Sequence, residues 1–215
     1  MIITPHFVWT HMAKTGGSVV HKIIEQLGDP EIELDPMTGE WSDYRRHEPF
    51  WLRSEKVGYD ITSEKLKALT IRRLPSWLLS MSEFKLATAG FKYTHNDLVE
   101  GMFRHEKRDM SDGSLNNPGD FEISHADEAL AFYQPETIDI WWKQESLSDD
   151  VIKTLRAYYK ISPTMEKEMR KFEINVNEYD HNLNHHFTSA DLEQLYHNCP
   201  LWTLYEKKIY GDLLV

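Results

Sequence analysis

The chain of 215 residues has one cysteine, Cys199, so it forms no internal disulfide, and that scarcity suits a reducing compartment. It has no run near the roughly 20 apolar residues of a membrane-spanning helix. The N-terminal region also lacks a basic segment followed by an apolar stretch. The expectation is a cytoplasmic chain that spans no membrane. Basic residues are scarce as well: 24 Lys and Arg stand against 35 Asp and Glu, a formal net charge of −11. A surface of that sign repels polyanions, so nucleic acid is not an expected partner, and an anionic ligand needs a local cationic pocket. Internal repeats and low-complexity tracts are absent. What is present is 40% hydrophobic and 12% aromatic, enough for a packed core, and this excludes a disordered chain.

Residues 6–12 (HFVWTHM) are rich in β-formers and predict a first strand. From Gly17 to Gly28 the apolar residues Val19, Val20, Ile23, Ile24 and Leu27 recur at helical spacing, and Gly28 suits a helix C-terminus. Residues 28–42 are acidic and rich in turn formers, which predicts a surface loop. Residues 66–73 (LKALTIRR) predict a core strand, and Pro75 fits the first turn of a helix continuing through SWLLSMSEF. Residues 109–120 read as a loop or flap, and 137–144 (TIDIWWKQ) as a strand in which Trp141 or Trp142 faces the core. Ser148, Asp149 and Asp150 give an acidic start to a helix carrying Val151, Ile152, Leu155, Tyr158 and Tyr159. Thr188 with Asp191 makes a capping-box pattern, and Pro200 opens a last helix through Tyr210. Alternating strands and helices predict an α/β fold with a mostly parallel sheet and right-handed crossovers. Residues 1–215 read as one domain, with 100–136 as an insertion or flap.

The stretch AKTGGS, residues 13–18, falls where the first strand hands over to the first helix. Glycines there let backbone N–H groups converge on one point, the helix dipole adds partial positive charge, and Lys14 adds a whole one. Phosphate fits such a concavity, at the carboxyl end of a strand where open α/β sheets bind ligands. The P-loop pattern G-x-x-x-x-G-K-S/T does not match, because Lys14 precedes the glycines, so an ordinary ATP or GTP hydrolase is disfavoured. A plain tight turn with a solvent-facing lysine is the alternative that the turn alone leaves open.

Strand, AKTGGS and amphipathic helix together resemble the 5′-phosphosulfate loop of the sulfotransferases, commonly written Pro-Lys-Thr-Gly-Gly-Thr/Ser. Lys14, Thr15, Gly16, Gly17 and Ser18 fall on that motif, Val19 follows it, and Ala13 replaces the family's proline. In that family an arginine at a strand end and a serine eight residues later hold the 3′-phosphate. Arg72 and Ser80 have that spacing, and aligning on Pro75 makes Arg73 the arginine instead. An arginine offers a planar fork to phosphate oxygens and a serine a hydroxyl donor. DYRRHEPF, residues 43–50, resembles the segment whose histidine takes the acceptor's proton, which points to His47 as base with Arg46 or Arg45 beside it. Glu48 is the alternative base. Glu145 before a capped helix and the closing helices after Thr188 are similar to the carbohydrate sulfotransferase-like branch. That branch's basic C-terminal loop is not evident, since residues 175–187 contain no Lys or Arg.

The resemblance implies a three-layer, P-loop-NTPase-like sulfotransferase fold. It implies transfer of a sulfuryl group from 3′-phosphoadenosine 5′-phosphosulfate (PAPS) to a hydroxyl or amine of a glycan or small molecule, with adenosine 3′,5′-bisphosphate as product. Lys14 would then support the charge that builds on the leaving phosphate. Two other classes remain: a nucleotide or small-molecule kinase with an atypical phosphate loop, and a non-catalytic nucleotide-binding relative. No metal is expected. His181, His185 and His186 sit in an asparagine-rich segment that forms helix poorly, and RHEKR, residues 104–108, reads as a solvated helix face.

Overall fold

A computed structural model of the chain describes residues 1–35, 47–102, 124–172 and 178–215. Arg45, Arg46, the 104–108 run and the 109–120 loop lie outside the described residues. The strands are β1 (Ile2–Ile3), β2 (Phe7–Thr10), β3 (Glu33–Leu34), β4 (Leu66–Ile71) and β5 (Ile140–Lys143). The helices are α1 (Gly17–Glu25), α2 (Phe50–Val57), α3 (Leu74–Ala89), α4 (His95–Val99), α5 (His125–Ala131), α6 (Leu147–Arg156), α7 (Pro163–Met169), α8 (Ser189–Asn198) and α9 (Pro200–Tyr210). Among the described residues no helix is long and apolar enough to cross a membrane.

The class is α/β, and the strands form one open sheet in the order β3-β1-β2-β4-β5. β2, β4 and β5 are parallel neighbours, with Thr10 opposite Leu69 and Leu69 opposite Trp141. β1 is antiparallel to both β2 and β3, so the sheet is mixed, not mostly parallel. Two-residue strands carry no alternation for a sequence to display. β1 is turned back by Thr4, whose hydroxyl donates to Phe7 O and accepts from Phe7 N, at 2.8 and 2.9 Å. β3 falls inside the acidic stretch expected to be loop, where β1 supplies its pairing.

The described residues gather into two compact units. The first, residues 1–73 and 133–178, holds the whole sheet with α1, α2, α6 and α7. Its core joins Phe7 and Trp9 of β2 and Trp142 of β5 to Val20, Ile23 and Ile24 of α1 and Val151, Ile152 and Leu155 of α6. The helical spacing of these residues is what lets each helix bury one stripe against the sheet. Trp142 is the core member of its pair, and the indole N–H of Trp9 donates to Thr70 Oγ1 at 3.0 Å.

The second unit, residues 74–132 and 179–215, is built from α3, α4, α5, α8 and α9. Its helix ends are held by carboxylates. Asp127 accepts from the amides of Leu201 and Trp202 at the start of α9, and buried Glu206 accepts from Leu74 N at 2.7 Å at the start of α3. Burial pushes the Asp127 carboxyl up, and those two amides offset part of that rise. The expected capping box forms, with Thr188 and Asp191 exchanging bonds at the start of α8. The histidine-rich segment makes only a short 3-10 turn, Leu183–His185, where His185 Nδ1 meets Asp180 Oδ2 at 2.7 Å.

Back in the first unit, α2 is anchored by charge. Arg53 Nε and Lys56 Nζ each lie 2.6 Å from a different oxygen of Glu48, and Arg53 also forks onto Asp35. Burial pushes the Glu48 carboxyl up, but Lys56 and Arg53 more than offset it and hold the group below its ordinary range. A depressed folded-state pKa stabilises above the unfolded value, and that stabilisation is lost as pH falls through the folded one. The unfolding free energy is therefore expected to fall as pH drops below about 4.3, the ordinary glutamate value. In urea denaturation Glu48→Gln should flatten that fall, and an unchanged pH dependence would contradict the assignment.

Candidate functional site

Parallel pairing of β2, β4 and β5 places three strand ends on one edge of the sheet. β2 delivers the turn from His11 to Gly16, β4 delivers Arg72 and Arg73, and β5 delivers Gln144 and Glu145. Thr15 Oγ1 donates to Met12 O at 2.7 Å, which closes the turn and buries that hydroxyl. The closure holds Lys14 at φ 66, a left-handed conformation that costs a non-glycine residue about 1–2 kcal/mol. Gly16, at φ 89, takes the same region without that penalty.

Each glycine also has a neighbour that leaves no room for a side chain. A Cβ on Gly16 would meet Leu147 Cδ2 at 2.5 Å, and one on Gly17 would overlap the imidazole of His11. α1 starts with no side-chain cap at Gly16. The Val19 amide closes on Gly16 O at 2.9 Å, so the amides of Gly17 and Ser18 precede the first helical ring, where a helix has no internal acceptor to offer. The positive end of the helix dipole faces the same place.

Lys14 and Arg72 come together there. Arg72 Nη1 donates to the Lys14 carbonyl at 3.4 Å. Burial pushes the Lys14 ammonium below its ordinary range, and the Arg72 charge pushes it further. An anion set beside the two would reverse that second push. Arg73 turns its backbone the other way, its amide donating to Glu145 Oε1 at 3.1 Å. Ser80 lies on α3 in the second unit and is buried.

His47 joins the Lys14 turn through the main chain. Its Nδ1 lies 2.9 Å from the carbonyl of His11. A carbonyl only accepts, so Nδ1 donates, and in the neutral ring that leaves the lone pair on Nε2, the tautomer a general base needs. The two imidazole centroids are 4.5 Å apart, tilted by 32°. Beneath them the hydroxyl of Tyr133 reaches both carbonyls, His11 at 3.2 Å and His47 at 3.1 Å. Burial pushes the Tyr133 phenol up, so it remains a donor at neutral pH. Next along the chain, the Glu48 carbonyl accepts from Thr10 Oγ1 at 2.5 Å, while its carboxylate is engaged by Arg53 and Lys56.

The structure thus assembles Lys14, Thr15, Gly16, Gly17, Ser18, Val19, Arg72 and His47 within one unit, and adds two residues that the sequence did not single out, His11 and Tyr133. Gly17 was the available signal for His11, because a glycine in the first turn of a helix implies that something presses on it. Nothing in the sequence tied Tyr133, 86 residues from His47 along the chain, to that residue's carbonyl.

The strain at Lys14 gives a stability comparison. Lys14→Ala keeps the left-handed penalty and Lys14→Gly removes it, so the glycine variant should be the more stable by up to about 1 kcal/mol in urea unfolding. An alanine variant as stable as the glycine one would contradict the backbone conformation assigned to the turn. No protein-family model matches the chain, and neither does any curated protein or solved structure, so a functional reading rests on these residues themselves.

Proposed function

We propose that this chain is a sulfotransferase that moves a sulfuryl group from PAPS to a hydroxyl or amine of a glycan or small-molecule acceptor, in the cytoplasm and on a P-loop-like sulfotransferase fold. The observation that carries the reading is the strained Lys14 turn opening α1 with Arg72 against it and His47 tied to it through His11. The turn supplies what an anion needs on a protein of net charge −11: two amides at a helix start and two cations. The resemblance of residues 13–18 to the phosphosulfate loop supplies the identity of that anion.

In this reading the donor brings the sulfuryl group and leaves as adenosine 3′,5′-bisphosphate. Lys14 and the amides of Gly17 and Ser18 bind the 5′-phosphosulfate, and Lys14 supports the negative charge that builds on the departing phosphate oxygen. Arg72 holds the 3′-phosphate, with Arg73 as the alternative arginine. Nε2 of His47 takes the proton from the acceptor as its oxygen or nitrogen bonds to sulfur and the bond from sulfur to the phosphate oxygen breaks. Glu48 is the weaker base, because Arg53 and Lys56 hold its carboxyl below the ordinary range.

Calorimetry tests the reading. Adenosine 3′,5′-bisphosphate is expected to bind without magnesium and more tightly than ATP with it. Lys14→Ala and Arg72→Ala should each weaken binding about 10- to 100-fold, the loss of one charge-assisted hydrogen bond. His47→Ala should abolish transfer while leaving nucleotide affinity within about twofold. Magnesium-dependent preference for ATP would replace the sulfotransferase with a kinase.

A further inference from the structure

We propose that His11 is a positioning residue of this site: its ring is the spacer that sets the distance and tilt of the His47 base relative to the anion-binding turn. The inference deepens the sulfotransferase reading and rests on it for the reaction, but not for the contact.

His11 touches both halves of the site. On one side its ring lies against Gly17, so closely that a Cβ there would overlap Nε2 and Cδ2. On the other its centroid is 4.5 Å from that of His47. Trp9, two residues earlier on the same face, stacks on it at 5.6 Å with planes 20° apart. The Trp9 ring is itself fixed by the bond from its indole N–H to Thr70 on β4. An imidazole bounded by a helix start, a second imidazole and a core indole has little freedom to rotate.

The main chain of the same residue holds His47 a second time, through the carbonyl that accepts from His47 Nδ1 and from the Tyr133 hydroxyl. That bond survives any substitution at position 11. The ring contact does not. A change of side chain therefore separates the spacer from the bond that fixes the tautomer. A flat ring of similar size can do the spacing without any proton chemistry, and a misplacement of about 1 Å in a catalytic group can cost on the order of 100-fold in rate.

The test uses the full chain and PAPS with water as acceptor, because that reaction uses the same base: water bonds to sulfur, the bond to the phosphate oxygen breaks, and sulfate and adenosine 3′,5′-bisphosphate leave. His11→Ala is expected to lower kcat about 10- to 100-fold with KM for PAPS within about twofold, and His11→Phe to restore kcat to within about threefold of wild type. Gly17→Ala, which drives a methyl into the ring, should lower kcat in the same way and serves if His11→Ala fails to fold. An unchanged kcat in His11→Ala, or a His11→Phe variant as slow as the alanine one, overturns the spacer role. If the wild-type chain neither binds adenosine 3′,5′-bisphosphate nor turns over PAPS, the sulfotransferase reading fails. The spacer is then judged from the His47 Cε1–H resonance, which His11→Ala should displace and His11→Phe should keep near its wild-type position. A resonance that neither variant moves overturns it.

Discussion

The parallel pairing of β2, β4 and β5 is the constraint on which the site depends. Parallel strands present their carboxyl ends on one edge, so residues far apart in sequence leave the sheet side by side. That is why Arg72 can reach the carbonyl of Lys14, 58 residues away, and why Leu147 packs on Gly16. A shift of one residue between β2 and β4 would turn every side chain of β2 to the other face and take Trp9 from Thr70. On the other side of β2, β1 runs antiparallel and β3 runs in the direction of β2 again, so β3 delivers Asp35 to the same end of the sheet, where it accepts from Arg53.

Electrostatics then decides what the edge can hold. The chain is strongly acidic, and among the described residues three carboxylates beside these strand ends make hydrogen bonds within the fold. Glu48 is held by Arg53 and Lys56, Glu145 accepts from the Arg73 amide, and Asp150 accepts from the Lys143 amide and Ser146. Burial and the Arg72 charge both push the Lys14 ammonium below its ordinary range, and an anion beside the turn would act in the opposite sense to the Arg72 charge. The left-handed backbone of Lys14 points the same way, since strain persists where the rest of the structure over-determines it.

Much of this was legible in the sequence where a signal spans several residues. The strand over 6–12 appears as Phe7–Thr10, the helix after Gly17 as Gly17–Glu25, and the helix at Pro75 as Leu74–Ala89. The capping box at Thr188 and the break at Pro200 mark α8 and α9. Two-residue strands gave no such signal, so the antiparallel side of the sheet was invisible and the expectation of a mostly parallel sheet had to be corrected. The AKTGGS turn was legible as the handover from a strand to a helix because its signal is local. His11 and Tyr133 were not, because their importance lies in contacts with the His47 imidazole and carbonyl that close only in three dimensions. The engagement of Glu48 by Arg53 and Lys56 is of the same kind: α2 has to form before the three groups meet.

The most direct measurement is a ¹H–¹⁵N correlation spectrum of the chain titrated with adenosine 3′,5′-bisphosphate. An anion seated at the start of α1 shifts the amides of Gly16, Gly17 and Ser18 together with the Arg72 side chain, all with one dissociation constant. Shifts confined to residues away from this turn, or none at all, contradict the proposed donor site.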